Sequence, residues 1–168
     1  MNRRRTALVL AAGAALALGL TGCSGINSLM GGETRDEESG EITEGGITDV
    51  FQLRVGDCLN DELSETATEV TDVPTVPCTD PHAYEVFQNI TMADADEYPG
   101  EDATVQQADN ECAAAFEGFV GVSYEESQYD FSYYYPTQQS WDGGDRVINC
   151  LIIDPNGQST GSLSGVGA

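Results

Sequence analysis

Pro77-Cys78-Thr79-Asp80-Pro81-His82-Ala83-Tyr84-Glu85-Val86-Phe87 brings together a cysteine, two prolines, the only histidine of the chain and the start of an apolar run. Pro81 fixes its own φ and biases Asp80 away from helix, which predicts a tight turn ending near His82. A strand over Ala83 to Ile90 follows. Tyr84, Val86 and Ile90 share one side at period two and Phe87 takes the other, so both faces of the strand are expected to be covered.

Working outward, the cysteines set the frame. Cys58, Cys78, Cys112 and Cys150 form an even set, which in an exported chain reads as two disulfides. A zinc site is the rival, but no C-x-x-C pair is present and an oxidising compartment disfavours four free thiolates. Three connectivities are possible for four cysteines. Neighbours along the chain close the shorter loops, which selects Cys58–Cys78 and Cys112–Cys150, each stabilising by about 3 to 4 kcal/mol on the loop-entropy account.

Val50 to Val55 predicts a strand with Phe51, Leu53 and Val55 on one face, turned at Gly56-Asp57 into Cys58. Asn60 to Pro77, polar and threonine-rich, reads as a long loop with one edge strand near Glu69 to Val73. A helix is expected over Ala103 to Phe119, since Val105, Ala108, Cys112, Phe116 and Phe119 recur at three- and four-residue spacing, with Asp102 as N-cap. Gly118 and Gly121 mark its end. Phe131 to Tyr135 and Arg146 to Ile153 predict two further strands, the second the most apolar and therefore central. Asp154-Pro155-Asn156-Gly157 is a turn, after which Gln158 to Leu163 is expected to pair back on the central strand. The whole predicts an α+β fold: a small, mostly antiparallel sheet with one packed helix and two disulfides.

At the other end, Arg3-Arg4-Arg5 precede a run from Thr6 to Leu20 that is apolar and short for a bilayer span, the pattern of an export signal. It closes in Leu20-Thr21-Gly22-Cys23, which resembles the lipobox of bacterial lipoproteins, where a diacylated cysteine becomes the new N-terminus. An ordinary secretory signal with a chance cysteine is the alternative. The division is therefore a signal peptide at 1–22, a flexible acidic Gly-rich tether at 23–46 and a folded extracytoplasmic domain at 47–168. As a coil the tether spans about 25 to 30 Å. Lipid at Cys23 would place the domain on the extracytoplasmic face of the cell membrane.

The formal net charge is −23, with no lysine, and beyond the signal only Arg35, Arg54 and Arg146 are cationic. Such a surface repels nucleic acid and anionic headgroups, so the membrane is expected as a partner only through the N-terminal lipid, with no nucleic acid and no small-molecule cofactor. The acidic run Ala93 to Asp102 lacks the residue order of an EF-hand loop and reads as solvated.

His82 is the default general base, but the chain has no G-x-S-x-G, no lysine for S-x-x-K and no thiol left once the disulfides form. A histidine after Asp-Pro beside a disulfide more often holds a turn by hydrogen bonding. The alternatives are a hydrolase or metal-dependent enzyme using His82 with Asp80 or Glu85, and a glycan-binding module using Tyr129, Tyr133, Tyr134, Tyr135 and Trp141. His82, Asp80, Trp141 and Arg146 are the candidate functional side chains; no catalytic residue and no metal ligand is assigned.

Val55-Gly56-Asp57-Cys58, Pro77-Cys78-Thr79 with His82 and Glu85-Val86-Phe87, Cys112 with Phe116, Trp141, Gly144-Asp145-Arg146 leading to Cys150, and Thr160-Gly161-Ser162-Leu163 together resemble the septum-formation domain of actinobacterial envelope proteins. The likeness runs from about Val50 to Leu163 and rests on the order of these motifs. It implies a role at the division septum or cell wall and carries no established active site. Together with the lipobox and the tether it leads to the expectation of a non-enzymatic protein that serves septum formation or cell-envelope assembly through contacts with an envelope or division protein.

Overall fold

The computed structural model describes residues 31–60 and 69–168. The expected signal peptide, Cys23 and the first part of the expected tether lie outside the described residues, as do residues 61–68 of the expected long loop. The strands are β1 Thr34–Arg35, β2 Ile42–Glu44, β3 Gly46–Asp49, β4 Cys58–Leu59, β5 Asp72–Val76, β6 Tyr84–Thr91, β7 Asp130–Tyr134 and β8 Val147–Ile153; the helices are α1 Glu101–Val120 and the short α2 Gln138–Asp142. Six strands form one sheet in the order β3-β5-β4-β6-β8-β7, while β1 and β2 make a separate hairpin. Every neighbouring pair is antiparallel. The fold is thus α+β, with a mostly antiparallel sheet, one main helix and two disulfides, Cys58–Cys78 and Cys112–Cys150.

The sheet is covered on both faces. Helix α1 packs Ala108, Cys112, Phe116 and Val120 against Phe87, Ile90, Ile148 and Ile152, and Phe116 meets Phe87 edge to face at 5.8 Å between ring centroids, the arrangement that aromatic quadrupoles favour. The other face gathers Val50, Leu53, Leu59, Val73, Val86 and Leu151. One irregularity makes both layers possible. A bulge in β6 between Val86 and Gln88 shifts the register against β8, so Val86 lies in one layer while Phe87 and Ile90 lie in the other. The expectation that Val86 and Ile90 share a side fails here, because an extra residue interrupts the period of two.

Four other expectations move. The strand expected at Val50 to Val55 lies earlier, at β3; Val50–Gln52 is a 3₁₀ turn that Asp49 caps through its side chain. The strand in the long loop is β5, set between β3 and β4 rather than at the edge. Pro74 is tolerated there because it lacks only a donor, and its carbonyl accepts the Asn60 N–H at 3.0 Å. Helix α1 starts at Glu101 with Gly100 as N-cap, at φ 93°, so Asp102 sits inside the first turn, where its charge still favours the helix dipole. The segment after the Asp154 turn does not pair with β8: Ser159 bridges His82 instead, and β7 occupies the free side of β8. Small residues beyond it cap α1, with the Gly165 and Gly167 N–H groups donating to the Phe119 and Val120 carbonyls at 2.7 and 2.9 Å, which satisfies acceptors that a helix end leaves open.

The largest correction concerns the tether. Within its described part, Gly31 to Gly46 is folded: Ile42 is buried, the Ile47 N–H donates to the Gly31 carbonyl at 2.9 Å, and Arg35 holds Asp57 with two hydrogen bonds of 2.6 and 2.8 Å. Gly45-Gly46 reads as flexibility in the sequence but is a close approach. A Cβ on Gly45 would come 2.8 Å from the Thr75 carbonyl oxygen, and one on Gly46 would collide with the Gly32 backbone. Neither leaves room for a side chain.

Candidate functional site

The quoted stretch forms a polar nest against the first disulfide. Pro77 to Asp80 turns, with the Asp80 N–H on the Pro77 carbonyl at 2.9 Å, and delivers His82 into the interior, where it is 1% exposed. The His82 and Ser159 backbones exchange hydrogen bonds of 3.0 and 2.9 Å. His82 Nδ1 lies 2.9 Å from the Asp80 carbonyl oxygen; a carbonyl only accepts, so Nδ1 carries the proton. Nε2 is buried and has no hydrogen-bond partner among the described residues. The imidazole therefore holds a turn, as expected, and it is sealed from solvent.

Asp80 contributes its backbone to this nest and is itself exposed. The buried acid is Glu85, three residues on and 1% exposed. Its Oε1 accepts the Ser162 hydroxyl at 2.6 Å and its Oε2 accepts the Leu163 N–H at 2.7 Å. Burial pushes the carboxyl above its ordinary range, outweighing these hydrogen bonds and the attraction of His82, which pull it down. Glu85 stands directly opposite Cys58 across the β4–β6 pair. Its carboxylate oxygen and the sulfurs of Cys58 and Cys78 all lie within 4.8 Å of one another. This trio has the donor chemistry of a metal site, but both sulfurs are committed to the disulfide, and only thiolates ligate well. His82 is not part of it.

The nest opens on a cleft of about 750 Å³ walled by Ser39–Thr43 of the hairpin, Arg54–Asp57, Pro77–Thr79 and Gly161-Ser162, with Glu85 lining it. Such a volume is within the range of ligand pockets. One wall depends on the Arg35–Asp57 pair, in which Asp57 is also held by the Arg54 N–H at 2.8 Å and Arg35 by Glu33 at 2.9 Å.

Trp141 and Arg146 form a second constellation. Trp141 is 2% exposed, with the Arg146 guanidinium 3.6 Å above its ring and Tyr98 packed at 5.6 Å. Arg146 also donates to the carbonyls of Trp141, Asp145 and Ala95 at 2.8, 2.7 and 3.2 Å. It thereby pins the acidic loop after β6 onto α2. The Trp141 ring is covered and presents no face to a glycan. Tyr133 and Tyr135 turn their hydroxyls to Asp109 and Glu101, and burial with the Asp109 contact raises Tyr133 to about 12.

Sequence reasoning missed Ser162 and the Leu163 N–H as partners of Glu85, and Arg35 as partner of Asp57. The available signals were an acid flanked by Tyr84 and Val86 within a strand, and an arginine in a chain with almost none.

The septum-formation family model matches residues 26–150. "Putative lipoprotein LppN" of Mycobacterium tuberculosis is 33% identical over 112 residues, covering 64% of this chain and 59% of the relative, and the protein of the same name from Mycobacterium bovis matches to the same extent. The chain thus spans about three fifths of the length of these curated relatives. No solved structure matches it.

Proposed function

We infer that this chain, which belongs to the septum-formation family, is an envelope-associated lipoprotein, anchored by lipid at Cys23, that takes part in septum formation or cell-envelope assembly through protein contacts. The observation that carries the reading is the family match over residues 26–150, joined to the lipobox-like ending of the signal and to a relative named as a lipoprotein. The site favours a contact role over turnover. His82 has one ring nitrogen engaged by a backbone carbonyl and the other buried, so no general base faces the cleft from that side chain. The acidic surface keeps the domain off anionic headgroups and suits a partner with basic or neutral polar character.

Photo-crosslinking of the full-length protein in dividing cells tests this, with the crosslinker placed at exposed Phe51 or Val55. A discrete adduct with another envelope protein, enriched at the division site, is expected. Measurable turnover of cell-wall substrates that disappears in a folded His82→Ala variant would overturn the reading.

A further inference from the structure

The two disulfides are placed differently. Cys112 and Cys150 are both fully buried under α1, whereas in the other pair Cys58 is fully buried and Cys78 is not. Cys78 lines the 750 Å³ cleft, so one sulfur of that bond is open to attack and the other is not. Opening it leaves Cys58 as a fully buried thiolate, which the loss of solvation disfavours. A carboxylic acid is built against that sulfur: Glu85, opposite Cys58 in the strand register and within 4.8 Å of both sulfurs.

We propose that Cys58–Cys78 is an exchangeable disulfide, attacked at Cys78 by the thiolate of an exported dithiol protein seated in the cleft, with Glu85 as proton donor to the departing Cys58 sulfur. The incoming thiolate forms a bond to Cys78 Sγ, and the Cys58–Cys78 bond breaks. The electron pair goes to Cys58 Sγ, which takes the Glu85 proton; the carboxylate regains one from solvent. The second thiol of the dithiol then attacks its own sulfur in the mixed disulfide and releases Cys78. Two electrons pass from the dithiol, now a disulfide, to Cys58 and Cys78, now thiols, and the steps run backwards with an oxidised partner. Exchange unfastens the Pro77–Thr79 wall of the cleft from β4, while Cys112–Cys150 keeps the helix on the sheet.

The test treats the exported protein under native conditions with dithiothreitol, alkylates at intervals and maps the peptides; glutathione serves as a probe that stops at the mixed disulfide. Cys58 and Cys78 should become alkylated at least about tenfold faster than Cys112 and Cys150, and glutathione should be found on Cys78. Glu85→Gln should slow the opening by about a hundredfold or more, the lower end of what general acid assistance contributes. Ser162→Ala, which loosens the same nest but keeps the acid, should not slow it. Were Glu85 only a fastening, both variants would open the bond faster than the parent. That result, or both disulfides opening together, or glutathione on Cys58, overturns the proposal.

Discussion

Glu85 on β6 accepts the backbone N–H of Leu163 at 2.7 Å across 78 positions of sequence. With Ser162 on its other oxygen, it fastens the segment after β8 to the middle of the sheet. Its carboxyl is pushed above the ordinary 4.5 chiefly by burial, so the folded chain holds this proton more tightly than the unfolded one. The stability that the protonated form contributes is complete below pH 4.5 and is lost as pH rises through the higher folded value. Glu85→Gln should therefore flatten the fall of the urea midpoint with pH above 4.5. A variant whose pH profile parallels the parent's would show that Glu85 is not responsible.

Arg35→Ala should be among the most damaging changes. It strands Asp57, which is buried and loses two of its hydrogen bonds, and breaking a buried pair from one side typically costs about 3 to 5 kcal/mol. Urea titration measures the loss. Were the 31–46 segment a loose tether, the variant would unfold with the parent.

The legibility of this chain in its sequence divides along physical lines. Helix α1, the apolar strand β8 and the disulfide frame were visible because periodicity, apolar length and cysteine number can be read directly from the sequence, although β8 lies one strand in from the edge rather than at the centre of the sheet. Thr104 and Val120 extend the buried stripe beyond the expected Val105 and Phe119, a difference of one position at each end. What was hidden is non-local. Nothing in Gly45-Gly46 tells flexibility from close approach until the Gly32 backbone is laid against it. The bulge at Val86 and the Ser159 bridge to His82 likewise depend on partners far along the chain. At the candidate site, the hydrogen bond by which His82 holds its turn followed the turn chemistry, but its burial was not legible, and the partners of Glu85 lie at Ser162 and Leu163, out of reach of any motif.

Trp141 is the only tryptophan, which makes the Arg146 constellation directly observable. Arg146→Met keeps the aliphatic cover but removes the stacking cation and three carbonyl contacts. A loss of about 1 to 2 kcal/mol is expected. Tryptophan emission followed through urea unfolding reports it, and an unchanged midpoint would mean the guanidinium adds nothing beyond packing.

Cys112→Ser should cost about 2 to 5 kcal/mol, because the 5.7 Å Cα–Cα link to Cys150 is what joins α1 to β8 covalently. The loss should be partly recovered at high ionic strength, since a chain of net charge −23 folds against its own repulsion and salt screens it. Thermal melting at low and high salt checks both halves; a variant melting like the parent, or one indifferent to salt, would contradict the account.

The most direct test of the central claim is fractionation of cells producing the parent or Cys23→Ala. Among the described residues no helix is long and apolar enough to cross a membrane, and two acyl chains are what anchors stably. The account predicts that the parent sediments with membranes through high-salt washing, protease-accessible from outside, and that Cys23→Ala appears in the soluble or secreted fraction. Retention of Cys23→Ala on salt-washed membranes would contradict it.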